Sequence, residues 1–196
     1  MQLDKGYKGF SFSKEGPLDM RMDPDSDVTA KEIVNSFSEQ KLGEIIREYG
    51  EEPQWKKAAK AIVETRYKNP IETTQQLAAL MVSTLGFKRR GRLHPATLVF
   101  QALRIVVNKE LDAIQIGLKK ALGFLAKGGI VGAISFHSLE DRLVKNILRD
   151  ACHRSKNEGS SLFMKLLTKK PLIPTLAEMR KNPRSRSAKM RFAERT

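Results

Sequence analysis

Beyond residue 28 the chain settles into apolar positions three and four apart, broken by glycine, proline and capping residues, which predicts a succession of helices. Residues 1–27 lack that rhythm: Gly6, Gly9, Gly16, Pro17 and Pro24 stand among polar and aromatic residues and predict a long, ordered connection. Residues 29–37 follow Asp27, a candidate N-cap, and residues 39–49 follow Ser38 and stop at Gly50. Pro53 opens residues 54–68, where Trp55, Ala58, Ala59, Ile62 and Val63 share one side. Thr73 is placed to cap residues 74–85, in which Leu77, Leu80, Met81 and Leu85 repeat at helical spacing before Gly86. Residues 28–86 therefore read as an all-helical module.

His94-Pro95 starts a further helix to residue 107, and residues 109–125 continue with Leu111, Ile114, Leu118, Leu122 and Leu125 facing inward. The pattern then changes. Residues 130–136 are short, continuously apolar and preceded by Gly128-Gly129, which predicts a buried parallel strand, and Ser138 is placed to cap a helix over residues 139–153. Residues 154–175 are weakly patterned, residues 176–181 suit a turn or two of helix, and residues 187–194 alternate as an antiparallel edge or penultimate strand does. Helix, glycine pair, strand and helix is the rhythm of an α/β sheet, which forms its sites at the carboxyl ends of strands. Only two strands are evident, where such sheets usually have about four to six. The sheet is therefore expected to be incomplete, its other strands supplied by another chain or an amino-terminal portion, or its apolar face left exposed.

Charge narrows the class of partner. The 196 residues hold 36 Lys and Arg against 22 Asp and Glu, a net charge of +14. From Arg142 onward there are 15 basic and four acidic residues, so +11 of that excess lies in the last part of the chain. A second cluster, Lys88, Arg89, Arg90 and Arg92, interrupts an otherwise balanced stretch. Two basic sites of this kind suit a nucleic acid. Mean hydropathy is -0.41 and no apolar run spans a bilayer, so a cytoplasmic protein with no membrane association is expected. The single cysteine, Cys152, excludes an internal disulfide and a thiolate zinc cluster, and reads as packing.

Glycine-rich phosphate loops are absent, so no self-contained dinucleotide or Walker site is expected. His94 and His137 are too isolated to suggest a metal; His94 suits a capping or structural role, whereas the strand-end position of His137 suits a cleft. Glu140 and Asp141, after Ser138, complement a helix dipole. Thr97, Gln101, Arg104 and Asn108 form one polar stripe on an apolar helix, facing water or lining a cleft.

Read together, several stretches point one way: Gly9-Phe10-Ser11-Phe12, Gly16-Pro17-Leu18-Asp19-Met20-Arg21-Met22-Asp23, His94-Pro95-Ala96-Thr97, Phe100-Gln101-Ala102-Leu103-Arg104, Ser135-Phe136-His137-Ser138-Leu139-Glu140-Asp141-Arg142 and Asn182-Pro183-Arg184-Ser185-Arg186-Ser187. They resemble the bacterial small-subunit ribosomal RNA cytosine-N4 methyltransferase family, known as RsmH or MraW, from Gln2 to the last residues. The resemblance implies an α/β fold: an incomplete Rossmann-like class I methyltransferase domain with an all-helical insert domain. Residues 1–27 would be a loop segment of the methyltransferase domain, 28–90 the insert, and 91–196 the domain's carboxyl-terminal part. It implies S-adenosyl-L-methionine as cofactor and 16S ribosomal RNA of the small subunit as partner; the incomplete sheet, separately, leaves a homodimer open. The family's amino-terminal portion has no counterpart here, so of its cofactor contacts only Gln2 carries over, and the adenosine and ribose have almost nothing in this chain to hold them. By motif and placement, His94, Gln101, Arg104, Phe136, His137, Ser138, Asp141 and Arg142 are candidates for the pocket that takes the flipped base. Lys88, Arg89, Arg90, Arg92, Arg184 and Arg186 are candidates for RNA contact. The catalytic proton acceptor is not identified. A non-catalytic basic RNA-binding remnant is the alternative.

Overall fold

The computed structural model describes residues 8–87, 93–157 and 164–196, the side chains of residues 153–157 excepted. The described residues form a mixed α/β protein, and the chain divides into two compact units, Met1–Glu110 and Leu111–Thr196.

The first unit is helical. Thr29 caps α1 (Ala30–Ser36) in a reciprocal box: its hydroxyl accepts from Glu32 N–H and the Glu32 carboxylate accepts from Thr29 N–H. The cap is thus Thr29, two residues beyond the Asp27 expected, because Glu32 sits three residues after a threonine. Ser38 caps α2 (Glu39–Gly50), which ends at Glu51 in the left-handed conformation. Gly50 is the last residue of the helix, and a Cβ there would come within 2.7 Å of the Leu98 carbonyl. Helix α3 (Trp55–Lys68) and the Thr73-capped α4 (Thr74–Leu85) follow, and α5 (Thr97–Asn108) stops where Lys109 turns left-handed. Ile33, Leu42, Ile46, Ile62, Leu77, Met81 and Leu103 are fully or almost fully buried between these helices.

Residues 8–27 belong to this core and not to a separate body. Leu18 and Met20 are buried in it, Leu18 N–H donates to Glu72 O at 2.9 Å, and Gly9 lies so close to Pro17 that a Cβ would stand 2.1 Å from its carbonyl. Gly9 also takes φ +69°, which glycine adopts without strain. The two units meet in sequence at Glu110.

In the second unit, α6 (Glu110–Phe124) lends Leu122 to a core with Val144, Ile147 and Leu148 of α7 (Ser138–Asn157). The strands β1 (Ile130–Ser135), β2 (Met164–Leu166) and β3 (Lys189–Arg195) form an antiparallel sheet in the order β1-β3-β2. Helix α8 (Leu176–Lys181) and a 3-10 helix (Pro183–Ser187) lead into β3. The reading of residues 130–136 as a buried parallel strand is corrected: β1 runs antiparallel to β3, from Ile130 opposite Glu194 to Ser135 opposite Lys189, and alternates in burial. Ile130, Ile134 and Phe136 are more than half exposed. Continuous apolarity here marks two apolar faces of which the described residues cover one, with β1 pairing on one edge only. Gly132 is fixed by packing, since a Cβ would meet the Phe192 ring at 2.7 Å. The alternation over residues 187–194 is found as β3, central in the described sheet.

Candidate functional site

The carboxyl end of β1 delivers Phe136 and His137 to the start of α7. The helix begins at Ser138, so His137 occupies the position ahead of it, and its ring does what Ser138 was expected to do. His137 Nδ1 accepts from the Glu140 N–H at 3.4 Å, while Glu140 Oε2 accepts from the Phe136 N–H at 2.7 Å and the His137 N–H at 3.3 Å. This is the logic of a capping box with an imidazole in the hydroxyl's place. Because Nδ1 is an acceptor, the neutral ring carries its proton on Nε2, a buried atom 3.3 Å from Glu140 Oε1 with no hydrogen-bond partner among the described residues. Burial pushes the Glu140 carboxyl up, but the His137 ring and the two backbone N–H groups outweigh it and hold it below its ordinary value. A largely covered carboxylate and an imidazole therefore face each other at the strand end.

Asp141, one residue on, is taken up inside the unit. The Arg191 guanidinium donates to both its oxygens, Nε to Oδ1 at 2.7 Å and an Nη to Oδ2 at 3.1 Å, and Lys189 Nζ approaches at 3.5 Å. The Arg191 hydrogen bond holds the Asp141 carboxyl below its usual range against the opposing effect of burial. This pair bolts α7 to β3 and orients the turn that carries His137. Reading β3 by its apolar residues alone missed Arg191; the signal was an acid early in α7 facing a strand with arginine and lysine at alternate positions. Phe136, Ser138 and Arg142 are exposed around this turn.

The polar stripe on α5 works within the first unit. Gln101 donates to Tyr49 O at 3.0 Å, and Arg104 pairs with Glu110 at 2.8 and 3.1 Å. Asn108 donates to Met20 O at 2.8 Å and accepts from the Met22 N–H at 2.7 Å, which pins the amino-terminal loop to the helix. His94 Nδ1 accepts from the Ala96 N–H at 3.2 Å, and its ring stacks on Phe12 with centroids 4.4 Å apart. Arg184 and Arg186 are exposed on the 3-10 helix. Gln2 and the cluster Lys88, Arg89, Arg90 and Arg92 lie outside the described residues.

Known proteins give this arrangement a context. The sequence model of the MraW methylase family matches residues 1–196. The chain belongs to that family. It is 49% identical over 203 residues to the ribosomal RNA small subunit methyltransferase H of Protochlamydia amoebophila, an alignment covering 99% of this chain and 64% of the relative. It is 50% identical over 192 residues to the protein of the same name from Persephonella marina, covering 97% and 63%. The Caldicellulosiruptor bescii protein of that name is 49% identical, with 100% and 66% covered. The chain thus spans somewhat less than two thirds of the curated relatives it matches. No described helix is long and apolar enough to cross a membrane.

Proposed function

We propose that this chain is the substrate-side part of an enzyme that uses S-adenosyl-L-methionine to methylate the N4 amine of a cytidine in 16S ribosomal RNA, in the cytoplasm. The observation that carries the reading is the family match along the whole chain, at about half identity to relatives named as ribosomal RNA small subunit methyltransferases. The charge supports it, since a net +14 concentrated after residue 141 suits a phosphate backbone.

Cytosine N4 is a poor nucleophile because its lone pair is delocalised into the ring, so the protein must hold the amine in line and accept hydrogen-bond density from it. At the end of β1, Phe136 offers an exposed aromatic face on which an extruded base stacks. His137 and Glu140 supply the polar edge, with Ser138 and Arg142 on its rim. Asp141 serves as an anchor through Arg191. Gln101, Arg104 and His94, bonded within the first unit, shape that unit and reach substrate only through it.

The cofactor does not fit the described residues by themselves. Three carboxylates are already engaged and not free for a ribose diol: Glu140 with its own turn, Asp141 with Arg191, and Asp19 with Arg21. The Gly128-Gly129 turn lies at the amino end of β1, and Gly132 is packed against Phe192. We therefore assign cofactor binding to the part of the relatives beyond the match, together with Gln2, and derive no step through it. In that enzyme the second unit would be one end of a Rossmann-like sheet, and residues 28–90 its insert.

Binding of a small-subunit RNA fragment tests the reading. Affinity is expected to fall steeply between low and physiological salt, with a slope of about -0.7 to -0.9 per phosphate neutralised. An affinity independent of salt contradicts it.

A further inference from the structure

Residues 164–190 hold eight basic residues and one acid, Glu178, and among them Lys169, Lys170, Arg180, Lys181, Arg184 and Arg186 are exposed. Within this cationic surface stands an aliphatic point: Leu172, Ile173 and Leu176 are 55%, 71% and 73% exposed. The point is stiff. Leu172 exchanges both backbone hydrogen bonds with Met190, at 2.8 and 2.9 Å, prolines at 171 and 174 fix the backbone on either side, and Thr175 caps α8 through the Glu178 N–H. Three aliphatic side chains held rigidly in water need an occupant, and the one-sign charge around them selects a polyanion.

The sheet register places this segment. Leu172 is bridged to Met190, and Met190 pairs with Ile134 on β1, so the three lie in one row across the sheet. Two strand spacings put Leu172 about 10 Å from Ile134, two residues before Phe136. A base that leaves its stack vacates a gap, and proteins fill such gaps with aliphatic wedges carried on a basic surface.

We propose that the segment at residues 171–174 is a base-stack wedge: Ile173 enters the RNA stack beside the nucleotide extruded toward Phe136, while Lys169, Lys170, Arg180 and Lys181 hold the flanking phosphates. The wedge rests on the RNA reading above and adds to it the element that opens the stack. Ile173 and the cations divide the work, the first acting on base stacking and the others on affinity.

The probe is a small-subunit RNA hairpin with 2-aminopurine beside a stacked cytidine, whose fluorescence rises on unstacking. Saturating wild-type chain is expected to raise the signal. Ile173→Ala binds within about twofold of wild type with the same salt dependence yet loses at least half of the rise, and Ile173→Leu restores it. Lys169→Gln combined with Lys170→Gln weakens binding several-fold and leaves the rise at saturation intact. Equal thermal melting of the variants confirms that they fold. A full rise with Ile173→Ala overturns the wedge while leaving the RNA reading standing. Absence of salt-dependent binding by the wild type overturns both. If Ile173→Ala instead abolishes binding of an acidic amphipathic peptide and leaves the RNA signal unchanged, the surface is a protein dock and the wedge is wrong.

Discussion

At the scale of single residues, two side chains adjoining one turn have separable duties. His137 caps α7 and presents Nε2 at the strand end, so His137→Ala is expected to cost about 1 kcal/mol of stability as a lost cap. In an intact family member carrying this motif it also lowers turnover by far more than that loss accounts for. Urea melts and steady-state rates on the same variant check both; unchanged turnover in the folded fraction removes His137 from the site. Asp141 is the structural partner. Removing its charge strands Arg191, 8% exposed in its side chain, so Asp141→Asn is expected to destabilise by roughly 3 kcal/mol or more. Its lowered pKa fixes the sign with pH: the wild-type contribution is full above the ordinary carboxylate range and is lost as pH falls through the depressed native value. The gap in stability between wild type and variant should therefore narrow as pH falls into acid, and a gap that stays constant throughout the acid limb refutes the pairing. Sequence rules name Ser138 as the cap because hydroxyls usually do that work. The substitution by His137 depends on how the chain leaves β1, which no local rule reports.

At the scale of elements, the helices were legible and the sheet only half so. Caps and apolar spacing are local, and α4 was placed residue for residue from Thr73, Leu77, Met81 and Gly86. Strand pairing is not local. The apolar run of β1 was read as buried on both faces, and three-residue β2, which owes its existence to backbone bonds with β3, left almost no pattern. Beside β1 lies a groove of about 560 Å³ lined by Ile114, Leu118, Ala133, Ile134 and Val144. Exposed apolar edges of this kind invite self-association. The chain is expected to bind a hydrophobic dye and to grow in apparent mass with concentration in light scattering, and Ile134→Lys to reduce both. A dye-silent monomer at high concentration contradicts the exposed edge.

At the scale of the whole molecule, charge and motif said more than fold did. The basic excess was countable and SFHSLEDR was recognisable, whereas the reach of the amino-terminal loop into the helical core was hidden, because Met20 and Asn108 meet across 88 residues of sequence. The proposal that the chain is the RNA-facing part of a cytidine N4 methyltransferase is tested most directly by one measurement. The chain is joined to the portion of the Protochlamydia amoebophila relative that its match leaves uncovered, and the chimera is incubated with unmodified small-subunit particles and S-adenosyl-L-methionine. The RNA is then digested and its nucleosides weighed by mass spectrometry. The account predicts N4-methylcytidine, reduced at least tenfold by His137→Ala. A folded, cofactor-binding chimera that leaves cytidine unmethylated, or methylates a different atom, contradicts it.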